Sequence, residues 1–213
     1  MKIFDGLHAY LWQDYRENNC NTYLIDGGTK VLVDPGHRYL FCHVQKALAG
    51  EGLTPDQIDV VAITHGHRDH IGAAGEFSKP TRLAINPEEY GYCEKRFGQD
   101  FHVPYPDCLL EEGDFAAGEH QFQVILTPGH SPASVCLYWP EKKALFAGDV
   151  IFRESVGRVD LPGGNGAQLK ESIMKLEELD VEYLLPGHGE PIMGKDDIKE
   201  NFRFIRDYVF GYL

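Results

Sequence analysis

A short apolar run leads directly into a histidine cluster in the stretch Ile58-Asp59-Val60-Val61-Ala62-Ile63-Thr64-His65-Gly66-His67-Arg68-Asp69-His70. The run is rich in β-branched residues, which is typical of a strand buried on both faces. The cluster has three imidazoles and a carboxylate within six residues, in a turn that contains Gly66. Such a set is poorly suited to an apolar core and well suited to bind a cation. The stretch therefore predicts a buried strand with cation ligands at its end.

Two further histidines and an aspartate follow other apolar, strand-like runs. His130 comes after Leu126-Thr127-Pro128-Gly129, and His188 comes after Leu185-Pro186-Gly187. Asp149 lies at the end of a third apolar run, in Ala147-Gly148-Asp149-Val150. The candidate ligands are thus seven in number: His65, His67, Asp69, His70, His130, Asp149 and His188.

The number and kind of these ligands indicate the type of metal site. Imidazole and carboxylate suit zinc, iron or manganese, and the absence of a nearby cysteine argues against a closed structural site. Seven side chains are too many for one tetrahedral ion, but they suit two ions that share a carboxylate. Asp149 is the natural bridge, so we expect two divalent metal ions.

Composition and charge exclude several classes of partner. The chain has 213 residues, 43% of them hydrophobic and 25% charged, which predicts a single globular domain over 1–213. Its 20 basic and 33 acidic residues give a net charge of −13 without a basic cluster, so nucleic acid and membrane surfaces are not expected partners. The five cysteines are scattered, and the N-terminus has no apolar run of signal-peptide length. We therefore expect a cytoplasmic protein.

Periodicity and turn residues predict strands and helices in each half of the chain. Strands are predicted over Leu7–Trp12, Asn21–Ile25, Lys30–Asp34, Ile58–Ile63, Arg82–Ile85, Gln121–Leu126, Val135–Trp139, Ala144–Phe146 and Val181–Leu185. Helices are predicted over Leu40–Ala49, Ile71–Phe77 and Pro87–Phe97, around Leu169–Leu179, and from about Asp196 to Tyr212. This order predicts two sheets between helices, in a layered α/β or α+β fold.

Four motifs resemble those of one known family. They are His65-x-His67-x-Asp69-His70, Thr127-Pro128-Gly129-His130-Ser131, Gly148-Asp149 and Pro186-Gly187-His188-Gly189. In this order and spacing they resemble the metallo-β-lactamase superfamily of hydrolases, and four matching segments together are a specific signal. The resemblance implies an α+β fold, namely an αββα four-layer sandwich of two mixed β-sheets with flanking helices and the metals at one edge.

The resemblance also implies a role for each candidate ligand. One ion would be held by His65, His67 and His130. A second would be held by Asp69, His70 and His188, with Asp149 shared between the two. The ions would be zinc, or alternatively iron or manganese, and a hydroxide that bridges them would attack the substrate. Asp69 is also the candidate catalytic residue, because its carboxylate can orient the attacking water or take its proton.

The loop after the bridging aspartate indicates a branch of the superfamily. It reads Gly157-Arg158-Val159-Asp160-Leu161-Pro162-Gly163-Gly164-Asn165, and such a Gly-Arg-x-Asp loop resembles those of the compact glyoxalase II-like proteins and of persulfide dioxygenases. The resemblance implies a hydroxyacylglutathione hydrolase-like enzyme, which hydrolyses a small thioester or ester of the S-acylglutathione type. Arg158 is the candidate substrate-binding residue. Asp160 stands where the larger glyoxalase II enzymes have a tyrosine, so an internal ion pair between Arg158 and Asp160 is the alternative.

Other functions share these motifs. A persulfide dioxygenase uses one iron held by two histidines and an aspartate, here His65, His130 and Asp149, while lactonases share the hydrolase ligands. A non-catalytic metal-binding module is a further alternative. Exported β-lactamases and basic nucleases of the superfamily fit less well. The aromatic residues of the last helix leave a homodimer open, although packing against a sheet explains them as well.

Overall fold

Two mixed β-sheets pack face to face in the computed structural model, which describes residues 1–14 and 16–213. The first sheet has seven strands within those ranges, and they lie side by side in chain order. They are β1 (Lys2–Phe4), β2 (Leu7–Tyr10), β3 (Thr22–Ile25), β4 (Val31–Val33), β5 (Val60–Ala62), β6 (Arg82–Ile85) and β7 (Cys108–Leu109). Strands β1 to β4 pair antiparallel, whereas β4 to β7 pair parallel.

The second half of the chain forms the other sheet and a small hairpin. Its strands are β8 (Gly113–Ala117), β9 (His120–Leu126), β10 (Val135–Trp139), β11 (Ala144–Gly148), β12 (Ile151–Phe152), β13 (Ser155–Val156), β14 (Tyr183–Pro186) and β15 (Ile192–Met193). The sheet has the order β15-β14-β11-β10-β9-β8, while β12 and β13 pair only with each other. Within the sheet, β11 and β14 are parallel and the other pairs are antiparallel.

Five α-helices lie outside the sheets in the described part of the chain. They are α1 (Cys42–Gly50), α2 (Arg68–Ile71), α3 (Pro87–Phe97), α4 (Gly166–Glu177) and α5 (Lys195–Phe204). A π-helical turn over Ile205–Val209 continues α5. None of the helices formed by the described residues has both the length and the apolar character needed to cross a bilayer.

Alternating side chains separate the apolar layers, because successive residues of a strand face opposite sides of a sheet. Tyr23 and Ala62 pack in the cluster between the two sheets, whereas Leu24 and Val61 pack in the cluster that includes α1. The ring of Tyr23 meets Phe146 of the second sheet edge-on, with centroids 5.6 Å apart. A third cluster joins α4 and α5 to the outer face of the second sheet. The predicted αββα sandwich is thus confirmed.

Some local elements differ from the prediction. In place of a helix over Ile71–Phe77, the structure has α2, which begins earlier within the histidine cluster, and a separate 3₁₀ turn over Ala74–Glu76. The helix begins there because His67 is in extended conformation (φ −68°, ψ 145°) and Arg68 takes the first helical position. The two-residue strands β7, β12, β13 and β15 are too short to show a hydrophobic period.

Strand ends from both sheets meet at one edge of the sandwich. The histidine cluster follows β5, Asp149 follows β11, His188 follows β14, and His130 lies in the turn between β9 and β10. Backbone hydrogen bonds hold these loops together: Val135 N donates to Thr64 O at 2.9 Å, and Gly187 N donates to Gly148 O at 2.7 Å. The fold therefore brings all seven candidate ligands to the same edge.

Candidate metal centre

Three imidazole nitrogens converge where β5 ends and β9 turns into β10. His65 Nε2 lies 3.1 Å from His67 Nδ1, which in turn lies 2.8 Å from His130 Nε2. Donor atoms at about 2.0–2.1 Å from one tetrahedral zinc ion are about 3.3 Å from one another. These residues, here called the first triplet, are thus spaced like ligands of one ion.

Asp69, His70 and His188 form a second set of close donor atoms, here called the second triplet. His188 Nε2 lies 3.3 Å from Asp69 Oδ2 and 3.4 Å from His70 Nε2. The remaining separation, from His70 Nε2 to Asp69 Oδ2, is 3.9 Å. α2 positions Asp69 and His70, whereas His188 comes from the loop after β14.

Asp149 lies between the two triplets. Its Oδ2 is 3.4 Å from His130 Nε2 and 3.3 Å from His188 Nε2, and its Oδ1 is 3.2 Å from His70 Nε2. Oδ1 is buried and accepts no hydrogen bond from the described residues. A buried carboxylate oxygen without a partner is costly unless a cation compensates its charge. The donor set and this oxygen fit two divalent ions that share Asp149.

Hydrogen bonds at the far ring nitrogens orient two of the buried histidines. His70 Nδ1 lies 2.9 Å from Asp34 Oδ2, and His65 Nδ1 lies 3.1 Å from Thr64 Oγ1. The Thr64 hydroxyl donates its own hydrogen to Asp34 Oδ2 at 2.6 Å, so it accepts from His65. Both rings are therefore protonated at Nδ1, which leaves each Nε2 lone pair free for a cation.

Sequence reasoning missed three polar residues that hold the centre together. Asp34 is buried at a positive φ of 53° and also accepts from Thr64 N at 2.8 Å. Asn18 Nδ2 donates to Asp69 Oδ2 at 2.7 Å. Glu89 of α3 accepts from the backbone nitrogens of Gly66 (2.9 Å) and Ala133 (2.8 Å), so it joins two ligand-bearing loops. Only Asp34 has a local signal, since an aspartate before Pro-Gly ends an apolar strand there.

Burial determines the charge state of His65 and His67 in the first triplet. Burial, followed by the charge of neighbouring histidines, holds the pKa of His65 well below its usual value and lowers the pKa of His67 to about 4. Both rings are consequently neutral near pH 7. Neutral imidazole is the form that binds metals.

In the second triplet, nearby carboxylates raise the pKa values of the histidines instead of leaving them lowered by burial. Burial opposes protonation of His188, but its contacts with Asp149 and Asp69 outweigh that cost and raise the pKa of His188 to about 9. Burial also opposes protonation of His70, but the charges of Asp149 and Asp34 outweigh this effect and raise the pKa of His70. Conversely, although burial opposes their ionisation, nearby histidines hold the pKa values of Asp69 and Asp149 below the usual range. A cation that binds here takes the place of protons.

The side chain and backbone of Arg158 have different contacts. The guanidinium forms two hydrogen bonds with the Asp160 carboxylate, at 2.9 and 2.8 Å, and both side chains are exposed. The structure therefore contains the ion pair considered as the alternative, and substrate binding by Arg158 stays a prediction. The Arg158 carbonyl lies 2.8 Å from His130 Nδ1, so the backbone of this loop orients a first-triplet histidine.

Comparison with known proteins finds similarity over most of the chain. The family model described as "Metallo-beta-lactamase superfamily" matches residues 15–188. A protein of Methanocaldococcus jannaschii named "Probable metallo-hydrolase" is 33% identical over 186 residues, which cover 80% of this chain and 87% of that protein. The hydroxyacylglutathione hydrolase of Francisella tularensis subsp. novicida is 29% identical over 153 residues, which cover 70% of this chain and 57% of that enzyme.

Solved structures show the same likeness. A B3 metallo-β-lactamase is 29% identical with a TM-score of 0.73, and the match covers 91% of this chain and 95% of that one. A protein solved in a di-iron-bound form is 33% identical with a TM-score of 0.68, and the match covers 82% and 89% of the two chains.

Proposed function

The chain belongs to the metallo-β-lactamase superfamily, and on that premise we propose that it is a metal-dependent hydrolase of a small thioester or ester. The hydroxyacylglutathione hydrolase among its relatives supports an S-acylglutathione-type substrate. The observation on which the proposal chiefly depends is the convergence of two ligand triplets on the shared carboxylate of Asp149.

We assign the metal ligands as the sequence predicts. The first triplet would hold one ion and the second triplet another, with Asp149 between them. Imidazole and carboxylate donors favour zinc, and they also accept the iron present in a solved relative. When bound, two such ions polarise a substrate carbonyl and lower the pKa of water toward neutrality.

The side chains of this centre have separate tasks in such a reaction. Asp69 Oδ2 accepts a hydrogen bond from Asn18, whereas its Oδ1 accepts none from the described residues and is free to orient a water molecule and take its proton. His188 is the half-exposed member of the second triplet, so the substrate approaches from its side. The hydrogen bonds from Asp34 and Thr64 hold the deeper rings in one orientation while charge develops.

Metal content and substrate class can be measured on one preparation. Protein purified without added metal is analysed for elemental content, and it is then assayed with an S-acylglutathione, an oxygen ester, a lactone and a β-lactam. About two ions per chain with thioester or ester hydrolysis is the expected result. A single iron per chain, with oxygen consumption on a glutathione persulfide, would replace this proposal with the dioxygenase, and preferential cleavage of the β-lactam would reassign the substrate.

A further inference from the structure

A cleft of about 240 Å³ lies against α2, the helix that carries Asp69 and His70 of the second triplet. Its wall includes Ile71 and Gly72, which directly follow the ligand His70, and the aromatic rings of Phe97 and Phe101. The volume is below the roughly 300–1,000 Å³ of pockets that enclose a whole drug-sized ligand. The seven candidate ligands do not line it, so the cleft has the size for one arm of a ligand and not for the reacting bond.

Arg68 supplies a positive charge to this cleft. The residue is bonded in the chain to the ligands His67 and Asp69, so its backbone position is tied to both triplets. Its guanidinium stacks 4.8 Å from the ring centroid of Phe97, which holds the long side chain against the cleft wall. No carboxylate oxygen of residues 1–14 or 16–213 lies within 4.0 Å of it.

A second arginine lies on the same ring. The Arg96 guanidinium is 5.6 Å from the Phe97 centroid and donates to Tyr92 Oη at 3.2 Å. Tyr92 Oη in turn donates to Pro162 O at 2.6 Å, in the glycine-rich loop that follows the bridging aspartate. The Arg68–Phe97–Arg96 cluster thus extends from α2 toward that loop.

Two other arginines near the centre are each paired with a carboxylate. Arg38, also in the cleft wall, contacts Glu76 at 2.6 Å, and Arg158 is held by Asp160. Asp100 is the one acidic residue in the described wall of the cleft, and its negative charge would oppose a bound anion. Arg68 and Arg96 are both held on the Phe97 ring without an acidic partner among the described residues, so their charge is available to an anionic group.

We propose that the cleft binds the arm of the substrate remote from the scissile bond, and that Arg68, stacked on Phe97, recognises a carboxylate on that arm. Arg96 adds positive potential from the other end of the cluster. The inference rests on the proposed function and specifies its substrate class as an anionic thioester or ester. Glutathione has two carboxylates, so an S-acylglutathione meets the requirement.

The test uses two thioesters with the same acyl group, one with a carboxylate on the thiol arm and one with a carboxamide in its place. Arg68→Gln should raise KM for the anionic thioester about three- to fivefold, as expected for a partly exposed ion pair, with kcat nearly unchanged. KM for the carboxamide should not change. Asp100→Asn should lower KM for the anionic thioester, because it removes the opposing charge.

Controls separate this effect from net charge and from metal loss. Arg203→Gln, on α5, removes the same charge from an exposed arginine of another layer and should leave both KM values unchanged. Elemental analysis of each variant verifies its metal content. Binding of a non-hydrolysable thioether with the same carboxylate arm, measured by calorimetry, gives a second readout that needs no turnover.

The outcomes distinguish the two proposals. If fully loaded protein hydrolyses neither thioester and neither of the corresponding oxygen esters, the proposed function fails, whereas the thioether titration still reports on the cleft. If Arg68→Gln weakens the anionic and neutral ligands equally, or neither of them, the carboxylate assignment is overturned. A large fall in kcat with unchanged KM would instead make Arg68 a positioning residue for its metal-ligand neighbours.

Discussion

Asp34 is the residue outside the proposed ligands on which the second triplet depends most directly. Its carboxylate accepts from Thr64 and fixes the tautomer of His70. We expect Asp34→Asn, which retains an acceptor for Thr64 N but loses the charge, to weaken metal binding by about 10–100-fold. Competition with a chelator measures this affinity. Equal affinity in a folded Asp34→Asn protein would contradict the assigned role.

Gly66 has no room for a side chain. A Cβ at this position would overlap Cys93 Sγ of α3. Gly66→Ala should therefore destabilise the fold by about 1–3 kcal/mol, the usual cost of overpacking. Urea unfolding measures the change, and Gly66→Ala combined with Cys93→Ala should recover part of it, because the second substitution removes the overlapping atom. A double variant less stable than the sum of the singles would disprove the contact.

The cysteines should differ strongly in reactivity, because the thiolate is the reactive form. Burial raises the pKa of Cys93 and of Cys136 to about 12, and it also raises that of Cys20, whereas Cys42 is exposed. A disulfide reagent at pH 8 should label Cys42 quickly, the partly exposed Cys108 more slowly, and the three buried thiols only on unfolding. Cys42→Ser should abolish the fast phase. Fast labelling that survives this substitution would show that another thiol is accessible.

At the scale of single elements, α3 connects the two loops that carry the residues of the first triplet. Glu89 accepts from Gly66 N beside His65 and from Ala133 N in the loop of His130, and it is buried. Glu89→Ala leaves two buried N–H groups without partners, at about 1–3 kcal/mol each. Glu89→Gln keeps one acceptor oxygen, so the expected order of stability in urea is wild type, Gln, Ala. Equal stability of the two variants would contradict this account.

The elements also show what sequence alone can and cannot predict. The long strand β9 and the helix α3 follow their predicted bounds closely, and α4 overlaps the helix predicted around Leu169–Leu179, because burial of one face imposes a visible period. α2 was misplaced because its start depends on the extended backbone of His67, which tertiary contacts determine. Local clusters in the sequence mark the candidate ligand histidines, whereas Asn18 and Glu89 contact the centre from distant segments, and no local pattern marks them.

At the scale of the whole molecule, each triplet joins the two halves of the sandwich. His65, His67, Asp69 and His70 follow β5 of the first sheet, whereas His130, Asp149 and His188 follow strands of the second. The two sheets already share an apolar core, and a metal held by the proposed ligands would add a second connection at the open edge. Metal binding at this edge should therefore stabilise both halves of the folded chain together.

Thermal unfolding tests this coupling between metal and fold. A ligand that binds only the native state stabilises it by about 2.7 kcal/mol at 100 times its Kd, so Tm should rise with added zinc and fall on chelation. His130→Ala and His188→Ala each remove one proposed ligand from the second half of the chain, and each should reduce the zinc-dependent shift in Tm. His120→Ala is the matched control, because His120 contacts Thr29 O far from both triplets and should leave the shift unchanged. If chelation leaves Tm unchanged in a protein shown to lose its metal, the centre does not link the sheets.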